Sequence, residues 1–436
     1  MKKPEAAAAK NPKPPLRVRV AVVLLSVLFA LLVFELFLRA AGYSYQTFYA
    51  PDAVRGYALE PGAEGWHTKE GRSYVRVNSD GLRDRERAKP KPAGTLRVAL
   101  VGDSYAEALQ VAQEDGIASV LERQLGACPR AAGRAVEVVN FGVSGYSTAQ
   151  ELLTLRERVW AYEPDVVLLL VTTNNDVTDN VRAFKDAEDI PYFVMRGDEL
   201  ALDDSFRQSL KFRFRTSVLA RAGRWLYSNL RFVHAVQQAR HALKARLAQR
   251  RDRRLAEEAR ARREASAHPL PVRAQPAPAP EAPAPPPGGQ PPIARSDLAN
   301  MVYVEPQDEA WRDAWRLMER LLVEMRGEVE ARGARFLVAT GSNPIQVFPD
   351  AGARAAFLAR LGPGADLFYP ERRFEEMARR RGLVVFSLAP ELQAYADGRK
   401  VFLHGWPGDI GNGHWNEEGH RVAGELLARK MCERLP

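Results

Sequence analysis

The sequence predicts an α/β fold, a three-layer α/β/α sandwich built on a central parallel sheet and preceded by one N-terminal transmembrane helix. Two observations support the sandwich: five apolar runs alternate with helical patterns, and each run ends in small or polar residues. Continuous apolar strands alternating with helices indicate a parallel sheet covered on both faces. A third observation, 19 almost wholly apolar residues near the N-terminus, predicts the transmembrane helix.

The N-terminal segment predicts a membrane anchor at 20–39 behind a basic tail at 1–19. Only Ser26 and Glu35 interrupt its apolar run, and 19 helical residues rise about 28 Å, close to the thickness of a hydrocarbon core. The tail carries six Lys/Arg against one Glu. The positive-inside bias therefore predicts a cytoplasmic N-terminus and export of the remainder of the chain.

A cleaved signal peptide is the alternative to this anchor, because the small residues Ala40-Ala41-Gly42 follow the apolar run. Arg39 beside that site and the length of the run favour an uncleaved anchor. We expect Glu35 to be a tolerated charge near the interface, since it lies one turn from the end of the run.

Beyond the anchor, the chain is expected to form a neck or cap at 42–95 and one α/β domain, which an insertion at 181–300 splits into 96–180 and 301–436. The neck is rich in Gly, Tyr and turn signals, and its stretch 74–78 alternates like a strand. The runs predicted as strands are 96–102, 136–142, 165–173, 334–341 and 383–389. The predicted helices are 115–126, 147–161, 307–332, 371–381 and 416–434.

The insertion has two parts of different composition. Residues 190–265 are predicted to be mostly helical, with aromatic and basic faces. These faces either touch anionic lipid headgroups, or they are solvated or packed against the rest of the protein. Residues 266–295 hold eleven of the chain's 30 prolines and are predicted to be a disordered linker.

The positive charge of the chain is concentrated outside the α/β domain. The net charge is +9, of which the basic tail holds +5, and residues 240–266, with ten Lys/Arg against four Asp/Glu, hold +6. The rest is slightly acidic. No basic face interleaved with aromatic residues remains, so we expect no nucleic-acid partner.

The two cysteines, Cys128 and Cys432, each lie at the end of a predicted helix. In an oxidising compartment they either form one disulfide or remain two unrelated buried thiols. Spacings typical of metal sites are absent from the sequence, which has no Cys-x-x-Cys and no His-Glu-x-x-His. We therefore expect no metal site. Nor does the sequence carry the glycine-rich phosphate-binding motifs of nucleotide-binding folds.

Polar residues follow the first three strands, where the carboxyl ends of parallel strands form binding sites. The sequence Gly-Asp-Ser104 ends the first strand, Asn-Phe-Gly-Val-Ser-Gly145 follows the second, and Thr-Asn-Asn175 follows the third. His414-Trp-Asn precedes the last helix. Acyl transfer needs an activated hydroxyl, a base with a pKa near neutrality and donors aimed at the oxyanion, and these residue types supply all three.

These four blocks resemble, in order, those of the SGNH branch of the GDSL hydrolases, over residues 96–176 and 334–436. The stretch Asn78-Ser-Asp-Gly-Leu-Arg83 also resembles a segment of membrane-anchored bacterial members. The resemblance implies that Ser104 is the nucleophile and His414 the base. It also implies that the backbone amide of Ser104, Gly145 and the side chain of Asn175 form the oxyanion hole.

One position departs from the family pattern. The family places an Asp two or three residues before the His, whereas this chain has Gly411 and Asn412 there. The nearest upstream carboxylate is Asp409. The sequence leaves open whether Asp409 completes a triad by folding back or Asn412 orients His414 in a dyad.

The resemblance implies a membrane-anchored serine esterase or O-acyltransferase, with its catalytic domain on the periplasmic side of a bacterial inner membrane. The expected substrate is an acylated carbohydrate, with acetyl as the expected acyl group, or a lipid-like ester. No cofactor is expected, because serine, histidine and oxyanion donors suffice for this chemistry. The sequence does not distinguish hydrolysis from transfer and leaves any protein partners unknown. The missing Asp motivates an alternative from another class, a catalytically silent scaffold that binds glycan.

Overall fold

A computed structural model describes residues 15–41, 48–131, 133–185, 187–236, 239–240 and 295–435. Most of the predicted basic tail (1–14) and the predicted linker (266–294) lie outside the described residues. The chain divides into two compact units, Met1–Tyr45 with Ala222–Ala282 and Gln46–Arg221 with Pro283–Pro436.

The larger unit is built on a parallel sheet of five strands, which lie side by side in the order Val385–Ser387, Arg335–Thr340, Val166–Val171, Thr95–Gly102 and Ala135–Asn140. The described strands of the chain are β1 Tyr49–Asp52, β2 Gly56–Leu59, β3 Glu64–His67, β4 Ser73–Arg76, β5 Thr95–Gly102, β6 Ala135–Asn140, β7 Val166–Val171, β8 Tyr192–Arg196, β9 Glu199–Asp203, β10 Arg335–Thr340 and β11 Val385–Ser387. All five strands predicted from apolar runs form this sheet, so the predicted α/β fold is confirmed.

Helices cover both faces of the sheet. The described helices are α1 Leu16–Ala40, α2 Ser104–Glu107, α3 Ile117–Gly126, α4 Thr148–Glu157, α5 Thr173–Asp179, α6 Arg182–Lys185, α7 Leu210–Thr216, α8 Val218–Asn229, α9 Arg295–Asn300, α10 Glu309–Ala331, α11 Ala351–Leu361, α12 Tyr369–Arg381, α13 Ala389–Arg399 and α14 Glu417–Cys432. The five helices predicted from the sequence correspond to α3, α4, α10, α12 and α14.

The side chains of β5 belong alternately to two buried clusters, one on each face of the sheet, because successive side chains of a strand point to opposite faces. Val101 packs with α4 and α10 in one buried cluster, whereas Val98 and Leu100 pack with α3 and α14 in the other. This arrangement makes the unit a three-layer sandwich, with the carboxyl ends of β5, β6 and β7 along the same edge.

The prediction that 190–265 is mostly helical is wrong at its start, and residues 241–265 lie outside the described residues. Strands β8 and β9 pair there as an antiparallel hairpin. Gly197 at the turn has a φ of 63°, a left-handed conformation that glycine adopts readily, and Tyr192 and Phe193 are buried. The Gly197-Asp198 pair is a turn signal for this hairpin, but the helical pattern that follows it in sequence is longer and predicts helix.

The neck forms two antiparallel hairpins, β1 with β2 and β3 with β4. The predicted strand at 74–78 corresponds to β4. Phe48, Leu59, Val75, Val77 and Leu109 form a small buried cluster, in which Leu109 comes from the segment after α2. The neck is therefore packed onto the segment that follows α2, the helix that begins at Ser104.

The smaller unit contains α1, a helix of 25 residues that is long and apolar enough to cross a membrane. Its apolar side chains are exposed almost throughout. A transmembrane span and a signal sequence share this length and composition.

A disulfide joins Cys128 to Cys432, with Cα atoms 5.8 Å apart. The bond links the segment after α3 to the last residue of α14. The same two helices approach so closely that a Cβ on Gly424 would lie 2.6 Å from a methyl carbon of Val120. The C-terminal helix is thus held both by packing and by a covalent bond.

Replacing both Cys128 and Cys432 by Ala should lower the free energy of unfolding by about 2–4 kcal/mol, because the crosslink restricts the unfolded chain. Urea unfolding of the purified protein, with and without reductant, measures this loss. Reductant should destabilise the wild type and leave the double variant unchanged. Two alkylatable thiols in the non-reduced wild type would contradict the bond.

Candidate active site

Ser104 lies at the carboxyl end of β5, as the first residue of α2. Asp103 caps this helix, since its Oδ1 accepts a hydrogen bond from the backbone N–H of Tyr105 at 3.0 Å. As the first residue of a helix, Ser104 has a backbone N–H without an acceptor inside the helix. The Oγ and the backbone N–H of Ser104 therefore both lie at the carboxyl edge of the sheet, where the N–H can donate to a bound group.

His414 lies against Ser104, although 310 residues separate them in sequence. Its Nε2 is 2.8 Å from Ser104 Oγ, and the ring of Tyr105 packs beside the imidazole with centroids 5.2 Å apart. The loop that carries His414 is closed by a hydrogen bond from Gly405 N–H to His414 C=O. The predicted nucleophile and base are thus within hydrogen-bond distance.

The acid beside His414 is Glu70, a neck residue between β3 and β4. One Glu70 oxygen is 2.6 Å from His414 Nδ1, and the other accepts a hydrogen bond from the His414 backbone N–H at 2.6 Å. Burial alone would lower the pKa of His414, but the hydrogen bond and the negative charge of Glu70 outweigh it and raise this pKa. Burial opposes the charge on Glu70 as well, yet His414 lowers the pKa of Glu70. The two side chains stabilise each other's charged form.

Neither residue predicted to orient His414 does so in the described part of the chain. Asp409 accepts a hydrogen bond from Asn412 Nδ2 at 2.9 Å, and both side chains are exposed in the same loop. The expectation that Asp409 or Asn412 holds the imidazole is therefore corrected to Glu70. Sequence reasoning missed Glu70 because it is 344 residues from His414. The one local signal was Gly413, which leaves room for an approaching group.

The predicted oxyanion donors come from the ends of β6 and β7. The side-chain amide of Asn175 donates to Asp103 Oδ2 at 2.8 Å, which fixes Asn175 beside Ser104. Asp103 is fully buried, and its pKa is raised by that burial although hydrogen bonds partly offset it. Gly145 has a φ of 76°, and a Cβ there would lie 2.9 Å from the hydroxyl of Tyr57, so only glycine fits this position.

Glu107, the last residue of α2, connects the Gly145 loop to the helix that begins at Ser104. Its fully buried carboxyl group accepts hydrogen bonds from the backbone N–H and the hydroxyl of Ser144 and from the hydroxyl of Tyr49. Tyr57 donates to the Ser144 carbonyl at 2.9 Å. The loop before Gly145 is consequently held by one residue of α2 and two of the neck.

The structure has a cleft of about 430 Å³ whose lining includes Asn174 and Asn412. In sequence, Asn174 precedes Asn175 directly and Asn412 lies two residues before His414. Its other lining residues include polar and aromatic side chains, among them Asn300, Tyr303, Asn343, Phe357 and Arg360. The size falls within the range of small-molecule sites. Among the described residues, no group of three or more His, Cys, Asp or Glu could hold a metal ion.

Replacing Glu70 by Gln should lower the pKa of His414, because the carboxylate that stabilises the imidazolium is lost. Histidine-selective NMR titration of the protein measures this pKa. Asp409→Asn is the matched control and should leave it unchanged. An equal shift in both variants would contradict the assignment of Glu70.

Comparison with known proteins gives structural likeness only. No protein-family model matches the sequence, and no curated protein matches it. A lipase/acylhydrolase from Enterococcus faecalis is 13% identical, with a TM-score of 0.34, over 78% of this chain and 97% of that one. A catalytic mutant of an acetylxylan esterase from Geobacillus stearothermophilus is 11% identical, with a TM-score of 0.35, over 77% and 94%. A protein from Desulfitobacterium hafniense, described as lipolytic and of the G-D-S-L family, is 12% identical, with a TM-score of 0.32, over 76% and 98%.

Proposed function

We propose that this protein is a membrane-anchored serine esterase or O-acyltransferase of the SGNH type, acting on an ester at the bacterial cell envelope. The observation that carries the proposal is the continuous hydrogen-bonded series from Ser104 Oγ through His414 to Glu70, with distances of 2.8 and 2.6 Å. A nucleophile, a base and a group that orients the base are the constellation of acyl transfer.

In the proposed reaction, Ser104 Oγ attacks the ester carbonyl while His414 Nε2 takes the hydroxyl proton. The tetrahedral intermediate collapses, the carbon–oxygen bond to the alcohol breaks, and His414 returns the proton to the leaving alcohol. Water or an acceptor hydroxyl then attacks the acyl-serine, its proton passes to His414, and Ser104 is regenerated with the proton back on its oxygen. Glu70 remains ionised and stabilises the imidazolium in both halves.

The negative oxygen of each tetrahedral intermediate needs donors that are already oriented. We assign this role to the backbone N–H groups of Ser104 and Gly145 and to the side-chain amide of Asn175. Asp103 supports the assignment, because it accepts one hydrogen bond from Asn175 and leaves the second amide hydrogen for the substrate.

The cleft beside Asn174 and Asn412 supports an acylated carbohydrate as substrate. The side chains of Asn174, Asn300 and Asn412 can both donate to and accept from hydroxyl groups, and the partly exposed Phe348 offers aromatic surface for the apolar face of a sugar ring. An acetyl group is the proposed acyl group, and hydrolysis and transfer differ only in the acceptor of the second half-reaction. The apolar helix α1 supports an inner-membrane anchor, with the N-terminus cytoplasmic and the catalytic domain periplasmic.

A fluorophosphonate probe should label the purified protein, and Ser104→Ala should abolish the labelling. His414→Ala and Glu70→Gln should slow it strongly, with Glu70→Gln costing up to about 10⁴-fold, the loss seen when the acid of a triad becomes an amide. Gel fluorescence against time measures the rates.

Asp409→Asn is the matched control for this labelling, because it alters the loop of His414 without touching the imidazole or the cleft. It should label at the wild-type rate. A folded wild-type protein that does not label would favour the silent glycan-binding scaffold. A Glu70→Gln variant that labels normally would show a working dyad instead of a triad.

Asn175→Ala should lower kcat for p-nitrophenyl acetate by about 10²- to 10³-fold with little change in KM, because the lost donor acts on the transition state. Steady-state kinetics separate the two constants. A change in KM alone would contradict an oxyanion role. Thermal unfolding controls for damage to the packing around Asp103.

A further inference from the structure

The last turns of the apolar helix α1 are hydrogen-bonded to a distant part of the smaller unit. Glu35 accepts from the backbone N–H of Phe232 at 2.9 Å and from Arg39 Nε at 2.7 Å. Arg39 donates in addition to the carbonyl of Asn229 at 2.6 Å. These contacts give the carboxylate in the apolar helix its partners, so Glu35 is more than a tolerated charge.

The position of these contacts along α1 fixes the depth of the attached segment relative to a bilayer. Glu35 and Arg39 belong to the last two turns of a helix that ends at Ala40. If α1 spans the membrane, this end lies at the membrane–water interface, where charged side chains are tolerated. The segment bonded to it, residues 222–236, then lies at the same interface.

The composition of residues 222–236 fits such a location. Trp225, Leu226 and Val236 are large apolar side chains that are 64%, 45% and 61% exposed. Between residues 222 and 240 the sequence has three arginines and no Asp or Glu. Exposed tryptophan and aliphatic side chains among cations are typical of segments that lie in the headgroup region of anionic membranes.

We propose that residues 222–236 form a lipid-binding surface that is docked on the end of α1 through Glu35 and Arg39, with Trp225, Leu226 and Val236 inserted among the lipids of an anionic bilayer. The proposal rests on the membrane anchoring proposed above. It goes beyond that anchoring because it gives part of the insertion a function. It also explains why a carboxylate and an arginine lie at the end of the apolar part of this helix.

The test uses the full-length protein in nanodiscs that contain phosphatidylglycerol, with acyl chains brominated near the headgroup. Bromine quenches tryptophan on contact, so the emission that Trp225→Phe removes should be mostly quenched in the wild type. Trp315→Phe is the matched control, because Trp315 is 1% exposed and cannot reach lipid. Nanodiscs without bromine give the unquenched emission.

Emission of Trp225 that resists brominated lipid and is quenched by aqueous iodide would overturn the proposal. Glu35→Ala should reduce the quenching of Trp225, whereas Glu35→Gln keeps an acceptor oxygen and should retain it. Equal quenching in Glu35→Ala and the wild type would overturn docking through Glu35. The intact mass of the membrane-extracted chain separates these results from failure of the anchor, since cleavage near Ala40 would remove α1 altogether.

Discussion

The contact between Glu70 and His414 is the constraint on which the site depends. Two hydrogen bonds, one to the ring and one to the backbone, fix both the rotamer of the imidazole and the path of its loop. The approach is so close that a Cβ on Gly413 would lie 1.8 Å from a Glu70 oxygen, and Gly413 has the left-handed φ of 68°. Position 413 must therefore be glycine, because any side chain there would occupy the space of the Glu70 carboxylate.

The neck is consequently part of the candidate active site and is more than a spacer. Beyond Glu70, it contributes Tyr49 and Tyr57 to the loop before Gly145 and Arg83 to the support of α2. The guanidinium of Arg83 is buried and donates to the carbonyls of Glu107, the last residue of α2, and Val111, four residues further along the chain. Burial lowers the pKa of Arg83 to about 10, so the cation is still present at neutral pH. Carbonyl dipoles and the nearby Glu107 stabilise this charge. The hydrogen bonds of Arg83 in turn hold the carboxyl end of the helix that begins at Ser104.

The sequence was sufficient for the sheet and for the residues at its carboxyl edge, because strands buried on both faces are continuous apolar runs and their ends must meet. Ser104 and Asn175 follow two of these strands, whereas their roles and that of His414 are what the family resemblance of the four sequence blocks implies. Glu70 could not be predicted, since nothing local in Thr-Lys-Glu-Gly reports a partner 344 residues away. The β8–β9 hairpin is a different case, because its Gly-Asp turn signal is local but short, and the long helical pattern that follows it predicts helix for the insertion.

The contact with Glu70 explains why His414, among three neighbouring histidines, is suited to carry a proton. His404 is fully buried between Ser342 and the carbonyl of Gly413, and burial lowers its pKa to about 3. His420 packs on the ring of Trp415, and burial lowers its pKa to about 3 as well. Both rings are therefore neutral at the pH where an ester would be cleaved, and His414 alone of the three contacts a carboxylate. In the proposed reaction, the positive charge that forms when Ser104 gives up its proton therefore lies on His414, where the carboxylate of Glu70 stabilises it.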